Sequence, residues 1–347
     1  MKRLPGYFIK ASLFLLFPVS LIYFSALKLK ERLYALSILK KRKLPATVIS
    51  VGNITLGGTG KTPHVLYLAS LLKGKSVAVL TRGYARKSSG KIIFSKEDFS
   101  PEALGDEPFL LASELSGAPV VVSKDRYSAG LAAIEKYSSE VLLLDDGFQR
   151  RISLSRDLDI VLVDSLNPFG NGLLFPAGIL REPVRSLRAA DIIILSKSDA
   201  ADTARLEKRV KRINPGALVI KSVYAPEALV NIRSKEKAPG FEALSGKRVA
   251  VLSGVGNPEY FEMMVSALGA EKIVPIRFRD HHYYSVSDIS KIDRLAAGCA
   301  FIVTTGKDAV KLVSPGVPGT ELPALELRIG VKITSGEEEL RERLGLK

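Results

Sequence analysis

Residues 46–63 read ATVISVGNITLGGTGKTP, and their order decides the fold. Ala46–Val51 is a short, apolar, largely β-branched run, which predicts a strand. Gly52–Pro63 is a glycine-rich loop closing on Gly60-Lys61-Thr62, and His64–Leu72 has helical periodicity. Strand, glycine loop and helix in this order predict a phosphate-binding loop. Gly57, Gly58 and Gly60 let the backbone turn its N–H groups inward around phosphates. Lys61 would reach the terminal phosphates, the Thr62 hydroxyl would ligand magnesium, and the helix would aim its N-terminus at the anion. Thr55, Leu56 and Thr59 complete the candidate cradle. One position departs from the strict G-x-x-x-x-G-K-[ST] pattern: Thr55 stands where that pattern has Gly.

Outward from the loop, similar runs recur at Ser76–Leu80, Pro119–Val122, Val141–Leu144, Ile160–Val163, Ile192–Leu195, Val249–Leu252 and Phe301–Thr304. Most are apolar throughout, as parallel strands buried on both faces are. Helical patterns such as Pro108–Leu115 lie between them. The expected class is α/β, a doubly wound, mostly parallel sheet, with its site at the carboxyl ends of the strands. Tyr224–Lys247 is charged and rich in breakers, so a domain boundary is expected there, before a fresh strand at Arg248–Leu252.

Residues just after the strands carry the chemistry. Asp145 and Asp146 close the Val141–Leu144 run, where carboxylates suit a magnesium ion held against phosphates. Two adjacent carboxylates repel unless a cation sits between them; turn capping is the plain alternative. Gln149 and Arg150 follow. Asp106, in GDEP, opens a helix whose dipole favours its charge, which an ordinary N-cap would also explain. Adjacent His281 and His282, in RFRDHHYYS, point different ways in any regular element, so at most one faces a site. Arg82, Arg86, Lys124, Arg126, Arg181 and Lys307 each follow or close a strand-like run and are candidate anion contacts, with solvated charge as the bland reading.

The chain has 347 residues, 46% hydrophobic and 25% charged, which excludes wholesale disorder and leaves room for two domains. One cysteine, Cys299, excludes a disulfide framework and a cysteine-clustered metal site, and three histidines argue against a histidine-rich one. The net charge is +15, but residues 1–43 contribute ten Lys/Arg against Glu31 alone, so the excess belongs mostly to the N-terminal arm. Tyr7–Leu27 is apolar, interrupted by Lys10 and Pro18, and as a helix would rise about 31 Å, roughly one hydrocarbon thickness. The stronger positive flank on its C-terminal side predicts a cytoplasmic body. A cleaved signal peptide, a buried core helix, and spanning versus surface attachment stay open.

Taken together, GNITLGGTGKTP, TRGYAR, GDEP, SKDR, LLDDGFQRR, PAGILREP, SGVGNPEYF, FRDHHYYS and TTGKDAVKL resemble the lipid A 4′-kinase family (tetraacyldisaccharide 4′-kinase) from about Arg32 to Leu312. Thr55 is similar to the family's own loop, while Arg150 stands where the family usually has His. The resemblance implies ATP-dependent, magnesium-assisted phosphorylation of the 4′-hydroxyl of an acylated disaccharide phosphate lipid, at the cytoplasmic face of an inner membrane, with no nucleic-acid partner. It implies that Lys61 and Thr62 serve phosphates and metal, that Asp145 and Asp146 lie near the metal, that Gln149 belongs to the nucleotide site, and that Asp106 is the general base supported by His281. It also implies a membrane-associating basic helical arm over 1–43, a P-loop kinase domain over 44–235 and a smaller C-terminal α/β domain over 236–347. Two other classes compete. One is a membrane-targeted GTPase, since Ser196-Lys197-Ser198-Asp199 is faintly similar to the guanine-reading [NT]-K-x-D motif. The other is a non-catalytic nucleotide-binding scaffold.

Overall fold

The structure is a computed structural model that describes residues 6–83, 92–115, 117–280, 282–314 and 316–346. Helix α1 spans Gly6–Ala35, with Pro18 inside it. The body follows as β1 (Thr47–Asn53), α2 (Lys61–Leu71), β2 (Val77–Thr81), β3 (Ile93–Phe94), α3 (Pro101–Leu104), α4 (Asp106–Glu114), β4 (Val120–Val122), α5 (Arg126–Tyr137), β5 (Val141–Asp145), β6 (Leu158–Asp164), β7 (Ile192–Ser196), α6 (Thr203–Ile213) and β8 (Leu218–Asn231). A second run adds β9 (Arg248–Ser253), α7 (Pro258–Ala267), β10 (Lys272–Arg277), α8 (Val286–Ala296), β11 (Phe301–Thr304), α9 (Gly306–Leu312), β12 (Ala324–Ser335) and α10 (Glu337–Arg343).

The strands form one sheet in the order β10-β9-β11-β12-β8-β7-β6-β1-β5-β2-β4-β3. All eight apolar runs are strands, and their burial explains why they read so clearly: β2, β4, β5 and β7 are buried at every position. Among the described strands, only the β8–β12 and β3–β4 pairs are antiparallel. The β8–β12 ribbon joins two parallel halves. The start of β8 pairs with β7 in the first half, and the start of β12 pairs with β11 in the second. Both halves therefore aim the carboxyl ends of their strands at the middle of the ribbon. That is where a doubly wound sheet holds its ligands.

The ribbon also revises the reading of Tyr224–Lys247. Its first eight residues are strand, not linker, and only the remainder is irregular. Pro226 is tolerated because it faces Ile329, at the register shift between Arg328 and Ile329, so the bulge absorbs its missing N–H. At the C-terminus, Ile333 of β12 and Leu340 of α10 return to the core of the first half, beside Val65, Leu68 and Ile220. No helix among the described residues is long and apolar enough to cross a membrane.

Candidate active site

The phosphate loop leaves β1 at Asn53 and enters α2 at Lys61. Gly57 and Gly60 have φ of 99° and 87°, the left-handed region that favours glycine. Gly60 is fixed a second way, because a Cβ there would lie 1.6 Å from the Tyr224 hydroxyl oxygen. Thr55 needs no glycine. It is buried, and its backbone bridges Leu180 in antiparallel fashion, so the loop starts as extended chain.

The loop is braced from beneath. Asn53 Nδ2 donates to Thr59 Oγ1 at 2.9 Å, and Gln149 Nε2 donates to the Asn53 carbonyl at 2.7 Å. Ser196 donates to the Thr59 carbonyl at 3.2 Å, and Lys197 Nζ donates to the Gly58 carbonyl at 3.3 Å. His64 is fully buried in α2, with Nδ1 2.7 Å from the Gly60 carbonyl and Nε2 2.9 Å from Ser222 Oγ. A carbonyl only accepts, so Nδ1 carries the proton and Nε2 accepts from the serine. Burial lowers the imidazole pKa to about 4, outweighing the pull of Gly60, and keeps it neutral.

Asp145 ends β5, buried. Thr81 Oγ1 donates to its Oδ2 at 3.1 Å, and Oδ1 has no hydrogen-bond partner. Burial, then the charges of Glu107 and Asp146, push its carboxyl up to about 6. Asp146 follows in a left-handed conformation, φ 53°, strain of the kind that collects at functional sites. Its Oδ1 lies 3.5 Å from Lys61 Nζ, and Arg181 Nη1 donates to both its oxygens at 2.8 and 3.0 Å. Burial opposes its charge, but Lys61 and Arg181 outweigh burial and hold it at about 2. An orphaned buried carboxylate oxygen, a second ionised carboxylate and the Thr62 hydroxyl on one cavity wall form a hard oxygen donor set. It fits magnesium at a nucleotide.

The cleft they line has a volume of ≈ 570 Å³, and a separate, smaller basic cavity of ≈ 320 Å³ adjoins it. Every residue from Thr55 to Thr62 lines the cleft, as do Asp106, Asp145 and Asp146. Asp106 sits in the first turn of α4, after Gly105 at φ 88°. Burial and then the Asp106 charge raise the pKa of the Tyr283 phenol, so the two side chains are neighbours. The neighbouring Glu107 is ion-paired with Lys307 of α9, so α4 is held from across the cleft. Tyr224, Tyr260 and Phe261 supply an apolar wall.

Not every candidate falls in the cleft. Gln149 lines the basic cavity instead and serves the loop through Asn53. His282 faces away, stacked on Phe278 with centroids 4.6 Å apart and Nε2 3.1 Å from Asp288. His281 and Arg86 lie outside the described residues. Tyr283 and the Glu107–Lys307 pair were not singled out as a site from sequence, since partners so distant along the chain leave no local signal. The basic cavity has seven cationic and three acidic side chains, among them Arg82, Lys124, Arg126, Arg150 and Arg181, and α1 closes it with Tyr23 and Lys30. The guanine-reading similarity fails in detail. Both oxygens of Asp199 accept from the Tyr260 hydroxyl, at 3.0 and 3.2 Å, and Asp199 does not line the cleft.

Residues 12–345 match the family model described as tetraacyldisaccharide-1-P 4′-kinase. A tetraacyldisaccharide 4′-kinase of Syntrophus aciditrophicus is 40% identical over 336 residues, covering 90% of this chain and 87% of that one. Another, of an Anaeromyxobacter species (strain K), is 42% identical over 297 residues, covering 83% and 78%. The crystal structure of LpxK from Aquifex aeolicus in complex with ATP superposes with a TM-score of 0.71 at 34% identity, covering 94% of this chain and 96% of that one.

Proposed function

The chain belongs to the tetraacyldisaccharide-1-P 4′-kinase family and is an ATP-dependent 4′-kinase of lipid A biosynthesis, and on that premise we propose how its own residues divide the work. The carrying observation is that the phosphate loop, the Asp145–Asp146 pair and Asp106 all line one cleft.

Phosphoryl transfer needs positioning and charge neutralisation more than covalent chemistry. The loop amides and Lys61 hold the nucleotide phosphates. Thr62, Asp145 and Asp146 would hold magnesium, which would neutralise charge developing on the phosphoryl oxygens. Asp106 accepts the proton of the 4′-hydroxyl as that oxygen bonds to the γ-phosphorus, and the bond to the β–γ bridging oxygen breaks to release ADP. Tyr283 lies beside the Asp106 carboxylate, and His281 is assigned the supporting role that the family resemblance implies. Gln149 acts by fixing the loop.

The acceptor enters from the side of α1. Its phosphate sits in the basic cavity, which shares Arg82, Asp146 and Arg181 with the main cleft. The acyl chains stay with the bilayer, since each buried CH₂ costs about 0.8 kcal/mol to expose. Helix α1 presents exposed Phe17, Leu21 and Ile22, while Ser20 on its other face bonds the Leu174 carbonyl at 2.9 Å. An apolar outward face with basic residues following it suits attachment at the cytoplasmic face of the inner membrane. Residues 44–235 would then carry nucleotide and acceptor phosphate, and 236–347 would close the cleft around them.

The test is transfer of labelled γ-phosphate from ATP to tetraacyldisaccharide 1-phosphate in mixed micelles, with wild type beside Lys61→Ala. Magnesium-dependent product that the variant cannot make supports the assignment. Product formed equally well by the variant overturns the role given to the loop.

A further inference from the structure

Arg181 belongs to both cavities. Its backbone is pinned on two sides: its N–H donates to the Ile54 carbonyl at 2.7 Å, at the root of the phosphate loop, and its carbonyl accepts from Tyr23 of α1 at 2.8 Å. Its side chain reaches Asp146. One nitrogen, Nη1, serves both carboxylate oxygens, rather than the two-nitrogen fork that makes such pairs strong. Asp146 is in turn the partner of Lys61. A candidate metal carboxylate and the loop lysine are thus both engaged with protein charges.

We propose that Arg181 is a positioning residue that couples the acceptor's phosphate to the metal–nucleotide site. A phosphate in the basic cavity offers Arg181 more negative charge than Asp146 does, and in the fork geometry a guanidinium prefers. The pinned backbone leaves the side chain to swing. Asp146 is then released to magnesium and Lys61 to the nucleotide. Binding energy from a part of the acceptor remote from the 4′-hydroxyl is thereby used to complete the site. An enzyme waiting for a membrane-bound acceptor is so kept from binding metal and ATP at full strength. The proposal rests on placing the acceptor phosphate in the basic cavity, as proposed above.

Calorimetric titration of the full-length protein in detergent separates the two. The probes are magnesium with a non-hydrolysable ATP analogue, and a de-acylated glucosamine disaccharide 1-phosphate. In wild type the headgroup should raise the affinity for the magnesium–analogue complex about five-fold or more, and the analogue should raise headgroup affinity by the same factor. In Arg181→Gln the factor should fall to about one, and Arg181→Lys, a point charge without the fork, should keep part of it. Because the readout is a ratio, any general loss of attraction for phosphates cancels. Arg150→Gln, whose side chain lines the basic cavity only, should weaken headgroup binding yet keep the ratio. Headgroup binding in wild type without coupling overturns the switch and leaves the cavity assignment standing. Headgroup affinity that is absent, or unchanged in Arg150→Gln, overturns both.

Discussion

Glu107 at the start of α4 and Lys307 at the start of α9, 200 positions apart in the chain, form an ion pair that ties the two halves of the sheet together across the nucleotide cleft. Glu107 is also the charge that, after burial, most raises the pKa of Asp145. Removing the lysine takes away an ion-pair partner of a carboxylate that faces Asp145. Loss of one partner of a partly buried polar group costs about 1–3 kcal/mol, and 1.4 kcal/mol is a factor of ten. Lys307→Met is therefore expected to lower kcat/KM for ATP about ten-fold or more, and Lys307→Arg to recover most of it. Steady-state kinetics at saturating acceptor decide the matter, and an unchanged kcat/KM in Lys307→Met would make the pair incidental.

Asp106 sits in the first turn of α4 beside the Tyr283 side chain, so its proposed role as base has a graded test. General base catalysis contributes about 10²- to 10⁴-fold. Asp106→Asn is expected to slow single-turnover phosphoryl transfer by that order while leaving nucleotide affinity nearly intact. Tyr283→Phe, which alters the neighbourhood of the carboxylate without removing it, is expected to be milder. Rapid-quench measurement of the chemical step is the check. A full-speed Asp106→Asn enzyme excludes the residue as base.

Asp145 supplies a pH dependence with a definite sign. Its carboxyl is pushed up to about 6, first by burial, and only the charged form would ligand magnesium in the proposed role. Affinity for the magnesium–nucleotide complex is expected to weaken as pH falls below about 6, and Asp145→Asn should be weak at every pH. Stability of the metal-free protein runs the other way. The folded state keeps a proton that the unfolded chain has lost between the ordinary value of 3.8 and about 6, so this group's contribution declines as pH rises through that interval. Magnesium with nucleotide should restore it. Binding titrations at pH 5.5 and 7.5 with equal affinity would contradict the assignment.

The parts of this fold legible in sequence are those whose structure is local. Apolar runs such as Val141–Leu144 and Ile192–Leu195 are strands because both faces are covered, and nothing else writes that pattern so plainly. The phosphate loop is legible because glycines, lysine and threonine must be contiguous to wrap a phosphate. The long β8–β12 ribbon was missed because it is half-exposed and antiparallel, and carries Lys221, Glu227, Arg328 and Lys332 among its apolar residues. In β8 a proline at the bulge adds the look of a linker. The arrangement of Arg181 on Asp146, 35 positions apart, is a product of tertiary folding. Residue types suggested each as a candidate, but only the structure pairs them.

His64 links the loop to pH through the fold itself. Its buried imidazole titrates at about 4, against an ordinary value of 6.5, because burial outweighs the hydrogen bond to Gly60. Between those two values the unfolded chain binds a proton that the folded protein refuses. Stability therefore falls as pH is lowered from 6.5 towards 4, by up to about 1.4 kcal/mol per pH unit from this one group. Protonation would also turn Nε2 from an acceptor into a donor against Ser222, disturbing the brace behind Gly60 where β8 meets α2. His64→Asn keeps a donor for the Gly60 carbonyl but cannot titrate. Its denaturant-unfolding free energy should decline less steeply than wild type across that interval, although its value at neutral pH is lower. Other acid-sensitive groups are common to both proteins and cancel in the difference. Curves that stay parallel from pH 6.5 to 4.5 would show that the imidazole takes up its proton without cost, and that the brace does not depend on its neutral form.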